Sequence, residues 1–432
     1  MSADELRLPP LPDLPRGARL WVAFSGGCDS TVLLHLLKRA GARRLHAAHV
    51  HHGLQAAADD WPAHCRRVCR QLAVPLKLLR VQVDPEHPGG PEAAAREARY
   101  AALRSLLRPG DCLVTAHHLD DQAETVLLRL LRGSGIAGLA AMRPLLAFEP
   151  GWLWRPLLGL PRAGLRAYAL RLDLDWVEDP QNLDPVYSRS WLRRELMPRL
   201  EQRWPRAAES LARFAGHAAE AQQLLDELAA EDLARVPQGD GLSVSGLLAM
   251  SPGRRRNTLR HWLRSQGQEA PAAGLLDRLD TELLGASPDA TPRLRCGERE
   301  FRRYRDGLYL LPLLPPAPVP GPRLAWGRGR ELELPPGCGR LRLLRASKVP
   351  LEVSFPSGGE RLRPAGSQRS RSLKNLFQEA GIPIWVRKRT PLVHRGGELV
   401  AVAGFWRRED GPELLWNHDL PGVPEQVTQR KH

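Results

Sequence analysis

The sequence has few cysteines and no segment suited to a membrane. Its six cysteines form no C-x-x-C pair, which argues against a disulfide framework and against a zinc or iron–sulfur ligand set. No apolar run is long enough to cross a bilayer, and the first residues lack the basic and apolar regions of a signal peptide. We therefore expect a cytoplasmic protein with reduced thiols and no membrane partner, while the oligomeric state is left open.

Composition and length indicate a globular chain of about two to three domains. Hydrophobic residues make up 43% of the 432 positions, which is enough to form cores. The net charge of +15 favours a nucleic-acid partner, although arginine is abundant throughout the chain and codon bias alone would raise it. The position of the basic residues therefore matters more than their number.

A glycine-rich loop near the amino end is the most informative feature of the sequence. It lies between an apolar run, Leu20–Phe24, and a helix-like stretch, Thr31–Ala40, and consists of Ser25, Gly26, Gly27, Cys28, Asp29 and Ser30. Its glycines allow a turn with φ > 0, which aims several N–H groups at one point where the helix dipole also favours an anion. We predict that this loop binds phosphate. The alternative is a plain strand-to-helix turn capped by serine and aspartate.

The loop differs from the two commonest nucleotide motifs. No Gly-Lys-Ser/Thr follows it, so it is not the common P-loop, and its glycines lack the G-x-G-x-x-G spacing of dinucleotide-binding folds. Asp29 would repel phosphate unless a cation intervened, and Mg2+ commonly bridges carboxylate and phosphate oxygens. We therefore assign Asp29 to Mg2+ and pyrophosphate, with a helix N-cap as the alternative role.

Residues 20–177 alternate between strand-like and helix-like segments, which predicts an α/β fold with a doubly wound, mostly parallel sheet. Ligands of such sheets bind beyond the carboxyl ends of the strands. The polar clusters that fall there are Ser25–Ser30, His49–Gly53 and His117–Asp121. We expect these clusters to converge on one site.

The third cluster begins a predicted helix, Leu119–Arg132, and combines an imidazole with carboxylates. His117, Asp121 and Glu124 are three or four residues apart, so they share one face of the helix. They would bind Mg2+ or receive a cationic substrate. Acidic residues are also ordinary partners of a helix amino terminus, so a purely structural role stays open.

The alternation ends after Asp179-Pro180, and the rest of the chain divides into further segments. We place the domains at residues 1–215, 216–312, 313–350 and 351–432. The second is predicted to be mainly helical, the third opens with a proline-rich linker, and the fourth is a small α+β domain. Within the second, we predict a helix at Pro252–Ser265 and a hairpin that pairs Arg293–Arg295 with Tyr304–Leu310.

Clusters of basic residues lie outside the α/β region. One stripe recurs every four residues along the predicted helix Pro252–Ser265 and consists of Arg256, Arg260 and Arg264. A second group, around Trp385, includes Arg361, Arg363, Lys374, Arg387 and Lys388. Cations beside aromatic rings suit phosphate backbones and unstacked bases, so we predict that these residues bind RNA. A solvated basic face is the alternative for any one cluster.

Together, these motifs resemble those of the tRNA(Ile)-lysidine synthetases, a family of pyrophosphate-loop ATPases, over nearly the whole chain. Besides the loop, the resemblance rests on His117–Thr125, Arg132–Gly135, Glu178–Asn182, Tyr187–Ser190, Gly358–Arg363 and Lys374–Pro383. The histidine-aspartate-aspartate stretch within the first of these is far more specific than the loop alone.

The resemblance implies an enzyme that acts on ATP, free lysine and an isoleucine tRNA with a CAU anticodon. ATP, held by the loop, would adenylate C2 of the wobble cytidine, and the ε-amine of lysine would then displace AMP to leave lysidine. The predicted catalytic residues are Asp29, His117, Asp121, Glu124 and Arg189. The resemblance also implies that Arg189 and Arg193 belong to a tRNA-facing helix of the active site. Asp121 or Glu124 is the candidate to hold the lysine ammonium and accept its proton.

Some positions depart from the family pattern, and two other functions compete. The departures are Val50–Gln55 after the second strand, Gln181 in place of serine, Ser190 in place of asparagine and Leu192 where isoleucine is common. Another pyrophosphate-loop enzyme, such as a tRNA thiolase, is one alternative because Cys28 lies in the loop, although cysteine pairs are missing. A catalytically silent RNA-binding protein is the other, although the loop serines and Asp29 are intact.

Overall fold

The computed structural model describes residues 6–51, 60–84, 86–88, 90–178, 188–268, 273–287, 290–327, 329–347 and 349–420. Two groups of residues singled out in the sequence, 52–55 and 179–187, lie outside this part of the chain. The chain divides into two compact units, Met1–Leu224 and Leu225–His432. The finer division into four domains stays a prediction.

A six-stranded sheet of order β3-β2-β1-β4-β6-β5 forms the centre of the first unit. Its strands are β1 Leu20–Ala23, β2 Leu45–His51, β3 Leu76–Arg80, β4 Cys112–Val114, β5 Leu145–Phe148 and β6 Gly151–Trp154. Neighbouring strands are parallel except for β5, which pairs antiparallel with β6 at the edge. This confirms the doubly wound, mostly parallel sheet that the alternating pattern predicts.

Helices cover both faces of this sheet. The helices in this part of the chain are α1 Cys28–Arg39, α2 Trp61–Gln71, α3 Gly90–Arg104, α4 Leu119–Leu131, α5 Ile136–Leu139 and α6 Arg162–Arg171. Successive side chains of a strand point to opposite faces. Leu20 and Val22 therefore join one core with α1, whereas Trp21 joins a second core with Leu103 of α3.

A helical region follows the sheet in the first unit. It comprises α7 Ser188–Trp191, a π-helical turn Leu192–Leu196, α8 Met197–Arg203 and the first part of α9 Ala207–Arg235, which continues past the boundary at Leu224. Trp191 and Met197 keep helical φ and ψ, so α7, the π-helical turn and α8 continue without a break. Met197 and Ala208 pack against Leu119 and Ala123 of α4, which fixes this region beside the amino end of α4.

The second unit begins with helices and a five-stranded antiparallel sheet of order β7-β8-β11-β10-β9. The strands are β7 Pro237–Gln238, β8 Gly241–Ser243, β9 Arg293–Cys296, β10 Arg299–Tyr304 and β11 Gly307–Pro312. The helices are α10 Val244–Ala249, α11 Pro252–Ser265 and α12 Ala273–Arg278, followed by a π-helical turn Leu279–Leu284. The bounds of α11 confirm the predicted helix.

The predicted hairpin in this unit is wrong in its pairing. The strand β9 pairs with β10, and β11 pairs with the other side of β10. Gly297 has a φ of +57°, which permits a tight turn between β9 and β10. The prediction overlooked that turn and therefore passed over β10 as a separate strand.

Small antiparallel sheets around a tryptophan-rich core complete the second unit. The strands are β12 Leu324–Trp326, β13 Glu331–Glu333, β14 Arg340–Leu343, β15 Leu351–Ser354, β16 Arg361–Leu362, β17 Arg371–Ser372, β18 Leu392–Arg395, β19 Glu398–Val402, β20 Trp406–Arg407 and β21 Leu414–Asn417. The helices are α13 Leu373–Glu379 and α14 Ile384–Arg387. Trp326, Trp385 and Trp416 are buried in the core. Among the described helices, none combines the length and the apolar character that crossing a bilayer requires.

Candidate active site

The glycine-rich loop joins β1 to α1 and takes a conformation that only glycine adopts easily. Gly26 has a φ of +86°, and its carbonyl accepts a hydrogen bond from the Val177 N–H at 3.0 Å. A Cβ at this position would lie 3.0 Å from the Cys65 sulfur and 3.2 Å from the His64 ring. The backbone of Gly26 is therefore held on several sides.

Hydrogen bonds within the loop order the first turn of α1. The hydroxyls of Ser25 and Ser30 are 3.0 Å apart, and both Ser30 and Thr31 donate to the Gly27 carbonyl at 3.0 Å. The N-cap of α1 is Gly27, which provides no side-chain cap. The N–H groups of the first helical turn have no acceptor within the helix, so they can bind an anion.

Asp29 lies inside the first turn of α1 and is not its N-cap. Burial raises the pKa of Asp29 above its ordinary value, while His118, Arg162 and Arg193 favour the carboxylate. In the described part of the chain, no three His, Cys, Asp or Glu side chains are grouped so as to hold a metal ion. A carboxylate oxygen of Asp29 fits Mg2+ only as a shared ligand, with other oxygens coming from phosphate or water.

Glu124 of α4 is the centre of a buried ion-pair network with α7 and the π-helical turn. Its side chain is 1% exposed, and its two oxygens accept from Arg189 Nε at 2.9 Å and Arg193 Nε at 2.7 Å. Arg193 Nη2 also donates to Asp121 Oδ1 at 3.1 Å. Two elements far apart in sequence are thus joined at the amino end of α4.

His118 is central to the site, although the sequence analysis did not select it. It is the N-cap of α4 and forms a capping box with Asp121. Its Nε2 lies 3.6 Å from Asp29 Oδ2 and 3.4 Å from Asp121 Oδ2, and its Nδ1 is 3.4 Å from Asp120. The histidine followed three residues later by a carboxylate is the spacing that could have revealed it.

Charge and burial oppose each other at the two histidines. Although burial disfavours an imidazolium, the surrounding carboxylates of Asp120, Asp121 and Asp29 raise the pKa of His118. At His117, by contrast, burial lowers the pKa to about 3. The His117 Nδ1 lies 2.9 Å from the Thr115 hydroxyl, so this neutral ring serves as a hydrogen-bonding group. Of the two rings, His118 is therefore the one whose surroundings favour the imidazolium form.

Two of the three predicted polar clusters, Ser25–Ser30 and His117–Asp121, come into contact. The third contributes a histidine that packs against the strand preceding the loop. β1 and β4 are neighbours, and the 3.6 Å contact between Asp29 and His118 joins the clusters that follow them. His49 of the remaining cluster is buried, with Nδ1 3.0 Å from the Phe24 carbonyl and 3.4 Å from the Cys65 sulfur. His49 thus braces the strand beneath the loop instead of facing the crevice.

The predicted RNA-binding residues differ in whether their side chains are exposed and whether they already pair with an acidic residue. In α11, Arg264 is paired with Asp226 at 2.5 Å, whereas Arg260 is exposed and Arg256 is half-buried. Arg361 and Arg363 are bonded to backbone carbonyls within their own turn but stay exposed, as do Lys374 and Lys388. These residues remain predictions as RNA contacts.

Trp385 does not have the exposure that base stacking needs. It is 3% exposed, and its ring lies edge-on to Tyr309 with centroids 5.5 Å apart. Arg387 donates to the Tyr304 hydroxyl at 2.7 Å and to the Ile382 carbonyl at 2.6 Å. Trp385 therefore belongs to the core of the second unit, where burial of its ring stabilises the fold.

Cys28 is expected to be dispensable for chemistry. Burial, followed by the charge of Asp29, raises the pKa of its thiol to about 11, so the nucleophilic thiolate is scarce at neutral pH. We predict that Cys28→Ser changes the rate of the reaction expected from the sequence by less than about threefold. Alkylation by iodoacetamide at pH 8 should also be slow at this residue. A large loss of activity in the serine variant would instead favour sulfur chemistry.

Family models match the chain in three places. A PP-loop domain model matches residues 7–200, a TilS substrate binding domain model matches 242–309, and a TilS substrate C-terminal domain model matches 351–414. The first covers the sheet, the glycine-rich loop and the ion-pair network. The other two fall in the second compact unit.

Curated relatives are similar to the chain over most of its length. The tRNA(Ile)-lysidine synthase of Alkalilimnicola ehrlichii is 49% identical over 399 residues, covering 89% of each chain. That of Pseudomonas aeruginosa is 47% identical, covering 92% of each, and that of Methylococcus capsulatus is 42% identical, covering 99% of this chain and 98% of the relative. Among solved structures, a U34-tRNA thiolase from Methanococcus maripaludis is 21% identical with a TM-score of 0.42, covering 49% of this chain and 74% of that one.

Proposed function

The chain belongs to the tRNA(Ile)-lysidine synthase family, and from that premise we propose its reaction in detail. It joins free lysine to C2 of the wobble cytidine of an isoleucine tRNA with a CAU anticodon. ATP activates the cytidine, and the products are lysidine, AMP and pyrophosphate. The observation that carries the proposal is the 3.6 Å contact between Asp29 of the loop and His118. His118 also contacts Asp121, which shares Arg193 with Glu124.

The loop is suited to the first half-reaction. Its free N–H groups and the amino end of α1 would hold the triphosphate of ATP. O2 of the cytidine would attack the α-phosphorus, and the bond to pyrophosphate would break. Arg189 and Arg193 contact Asp121 at 3.7 and 3.1 Å, so they would stabilise negative charge that develops beside that residue. Asp29 would help to hold Mg2+, which would supply further positive charge to this step.

The second half-reaction needs a neutral lysine amine. The ε-amine has a pKa of about 10.4 in water and is mostly protonated at neutral pH, so a carboxylate must hold the ammonium and accept a proton. The amine would then attack C2, and the bond from C2 to O2 would break as AMP leaves. Asp121 is 14% exposed, whereas Glu124 is 1% exposed with both oxygens bonded to arginine. We therefore favour Asp121 over Glu124 for this role.

Asp29→Asn tests the proposed role of the loop carboxylate. We expect pyrophosphate release that depends on tRNA to fall by about a hundredfold, because a neutral amide oxygen binds a divalent cation much more weakly than a carboxylate does. The melting temperature should hold, since burial already disfavours the charged form of Asp29. Asp13→Asn, at an exposed position, is the matched control. Unchanged pyrophosphate release in Asp29→Asn would remove this residue from the mechanism.

Incubation with ATP, labelled lysine and unmodified isoleucine tRNA tests the overall reaction. The proposal expects label at position 34 of the tRNA, and none in a tRNA in which that cytidine is replaced by uridine. Label that enters both tRNAs equally, or neither, would refute the proposed substrate.

A further inference from the structure

Arg155 is a buried cation that the proposed reaction does not use. It follows β6 directly, is 8% exposed, and donates from Nη1 to the Arg143 carbonyl at 2.8 Å. Its Nε is buried and has no hydrogen-bond partner. Nε together with a terminal nitrogen forms the edge of a guanidinium that pairs with carboxylates and phosphates through two parallel hydrogen bonds. That edge is therefore incompletely satisfied in the protein alone.

Two other arginines lie beside Arg155. Arg129 of α4 donates to the carbonyls of Gly138 and Ala141 at 2.7 and 3.1 Å, on the same segment that accepts from Arg155. Arg96 of α3 is exposed, and its guanidinium lies 5.1 Å from the centre of the Tyr100 ring. Burial lowers the pKa of Arg155, the charge of Tyr100 and a hydrogen bond to its side chain oppose that shift, and the charges of Arg96 and Arg129 add to it. The three side chains form what we call the arginine triad.

The arginine triad lacks acidic partners in the described part of the chain. Neither Arg96, Arg129 nor Arg155 forms an ion pair there with an aspartate or glutamate, unlike Arg189 and Arg193. Burying a positive charge without a counterion destabilises a protein. Three neighbouring cations without a carboxylate are therefore expected to meet an anion from outside the chain.

The arginine triad lies at the same edge of the sheet as the candidate active site. β6 pairs in parallel with β4, and the Thr115 N–H donates to the Trp154 carbonyl at 3.0 Å. Thr115 in turn contacts His117, whose pKa is lowered further by Arg155 and Arg96. Since β1, β4 and β6 are adjacent strands about 4.8 Å apart, the triad lies roughly 10 Å from the glycine-rich loop, across His117 and His118.

We propose that Arg155, Arg129 and Arg96 form a second phosphate site, which binds a backbone phosphate of the tRNA near the nucleotide being modified. The inference rests on the proposed function and adds a contact that positions the target base. The glycine-rich loop already offers the triphosphate of ATP a set of N–H groups, so a separate cationic site on the far side of His117 suits the other substrate. A buried arginine that lies near an exposed one also suits an anion that arrives as part of a large ligand.

Binding measurements on Arg155→Met test this site without requiring catalysis. We expect the dissociation constant for tRNA to rise by about tenfold and the slope of log K against log salt to fall by about one, as for the loss of one phosphate contact. The affinity for ATP should not change. Without tRNA, the melting temperature should stay the same or rise, because an unpaired buried charge has been removed.

Matched variants separate a phosphate contact from a structural role. Arg155→Lys should restore part of the salt dependence, and Arg96→Met, at an exposed position, should weaken tRNA binding without affecting folding. Arg39→Met, on an exposed arginine at the end of α1, should bind tRNA as the unchanged protein does.

A lower melting temperature with unchanged tRNA affinity would overturn the proposal. Weaker ATP binding with unchanged tRNA binding would assign the phosphate to ATP and overturn it as well. If the labelled-lysine reaction failed while these binding effects appeared, the proposed chemistry would be wrong and the phosphate site would stand.

Discussion

Gly26→Ala is expected to abolish the ATP-dependent step. The alanine Cβ would be 3.0 Å from the Cys65 sulfur, 3.2 Å from the His64 ring and 3.3 Å from the Val177 side chain. The φ of +86° adds strain for any residue with a Cβ. Together, strain and overpacking should destabilise the protein by about 2–4 kcal/mol, and relief of the clash should displace the loop. We expect pyrophosphate release to slow by at least about a hundredfold, because the loop N–H groups would no longer converge.

Gly27→Ala provides the matched control for stability. Gly27 has a φ of −75°, and a Cβ there would lie 3.4 Å from the Ser25 hydroxyl and 3.8 Å from the Val177 carbonyl, which are ordinary contacts. Its melting temperature should stay within about 2 °C of that of the unchanged protein. If Gly26→Ala bound ATP and released pyrophosphate normally, the conformation of this loop would not be the basis of the activity.

Glu124→Gln is expected to cost both stability and activity. The carboxylate oxygens accept from Arg189 and Arg193, and an amide would present N–H groups to one of those guanidinium ions. Breaking a buried ion pair while leaving the cations in place costs about 3–5 kcal/mol. Because both arginines would lose their fixed orientation, we expect lysidine formation in a single turnover to slow by about a thousandfold or more.

Glu195→Gln is the control for this variant, because Glu195 lies in the π-helical turn that also carries Arg193. Its side chain is 45% exposed and contacts Arg199 at 3.4 Å on the helix surface. Exposed pairs of this kind contribute about 0.3–0.5 kcal/mol, so both stability and rate should change little. A Glu124→Gln variant with the activity of Glu195→Gln would show that the network does not position the arginines.

The sequence predicts the first unit well because its signals are local. Buried strands, the glycine turn and amphipathic helices follow from hydrophobic period and turn chemistry, and the structure confirms the parallel sheet. The edge strand β5 is antiparallel and half-exposed, so it gives no such signal. The hairpin of β9 failed for a related reason: a tight turn at Gly297 separates two short basic strands that periodicity does not resolve.

The site was predicted in part, and the remainder depends on contacts distant in sequence. Helix spacing brings Asp121 and Glu124 to one face, but it cannot show that Arg189, 65 residues from Glu124, would bond to that carboxylate. Helix spacing also favoured His117 over His118. It does not show that carboxylates surround His118 in the fold and raise the pKa of its ring. The buried Arg155 gives no sequence signal at all, since burial of a lone arginine depends on the packing of three separate elements.

The central claim is that the glycine-rich loop activates a tRNA base by transferring AMP to it. A single-turnover incubation with ATP labelled at the α-phosphate, isoleucine tRNA and no lysine tests this directly. The account predicts that label becomes attached to the tRNA with release of pyrophosphate, and that added lysine then discharges it as free AMP. Release of labelled AMP without any labelled tRNA, before or after lysine is added, would contradict it.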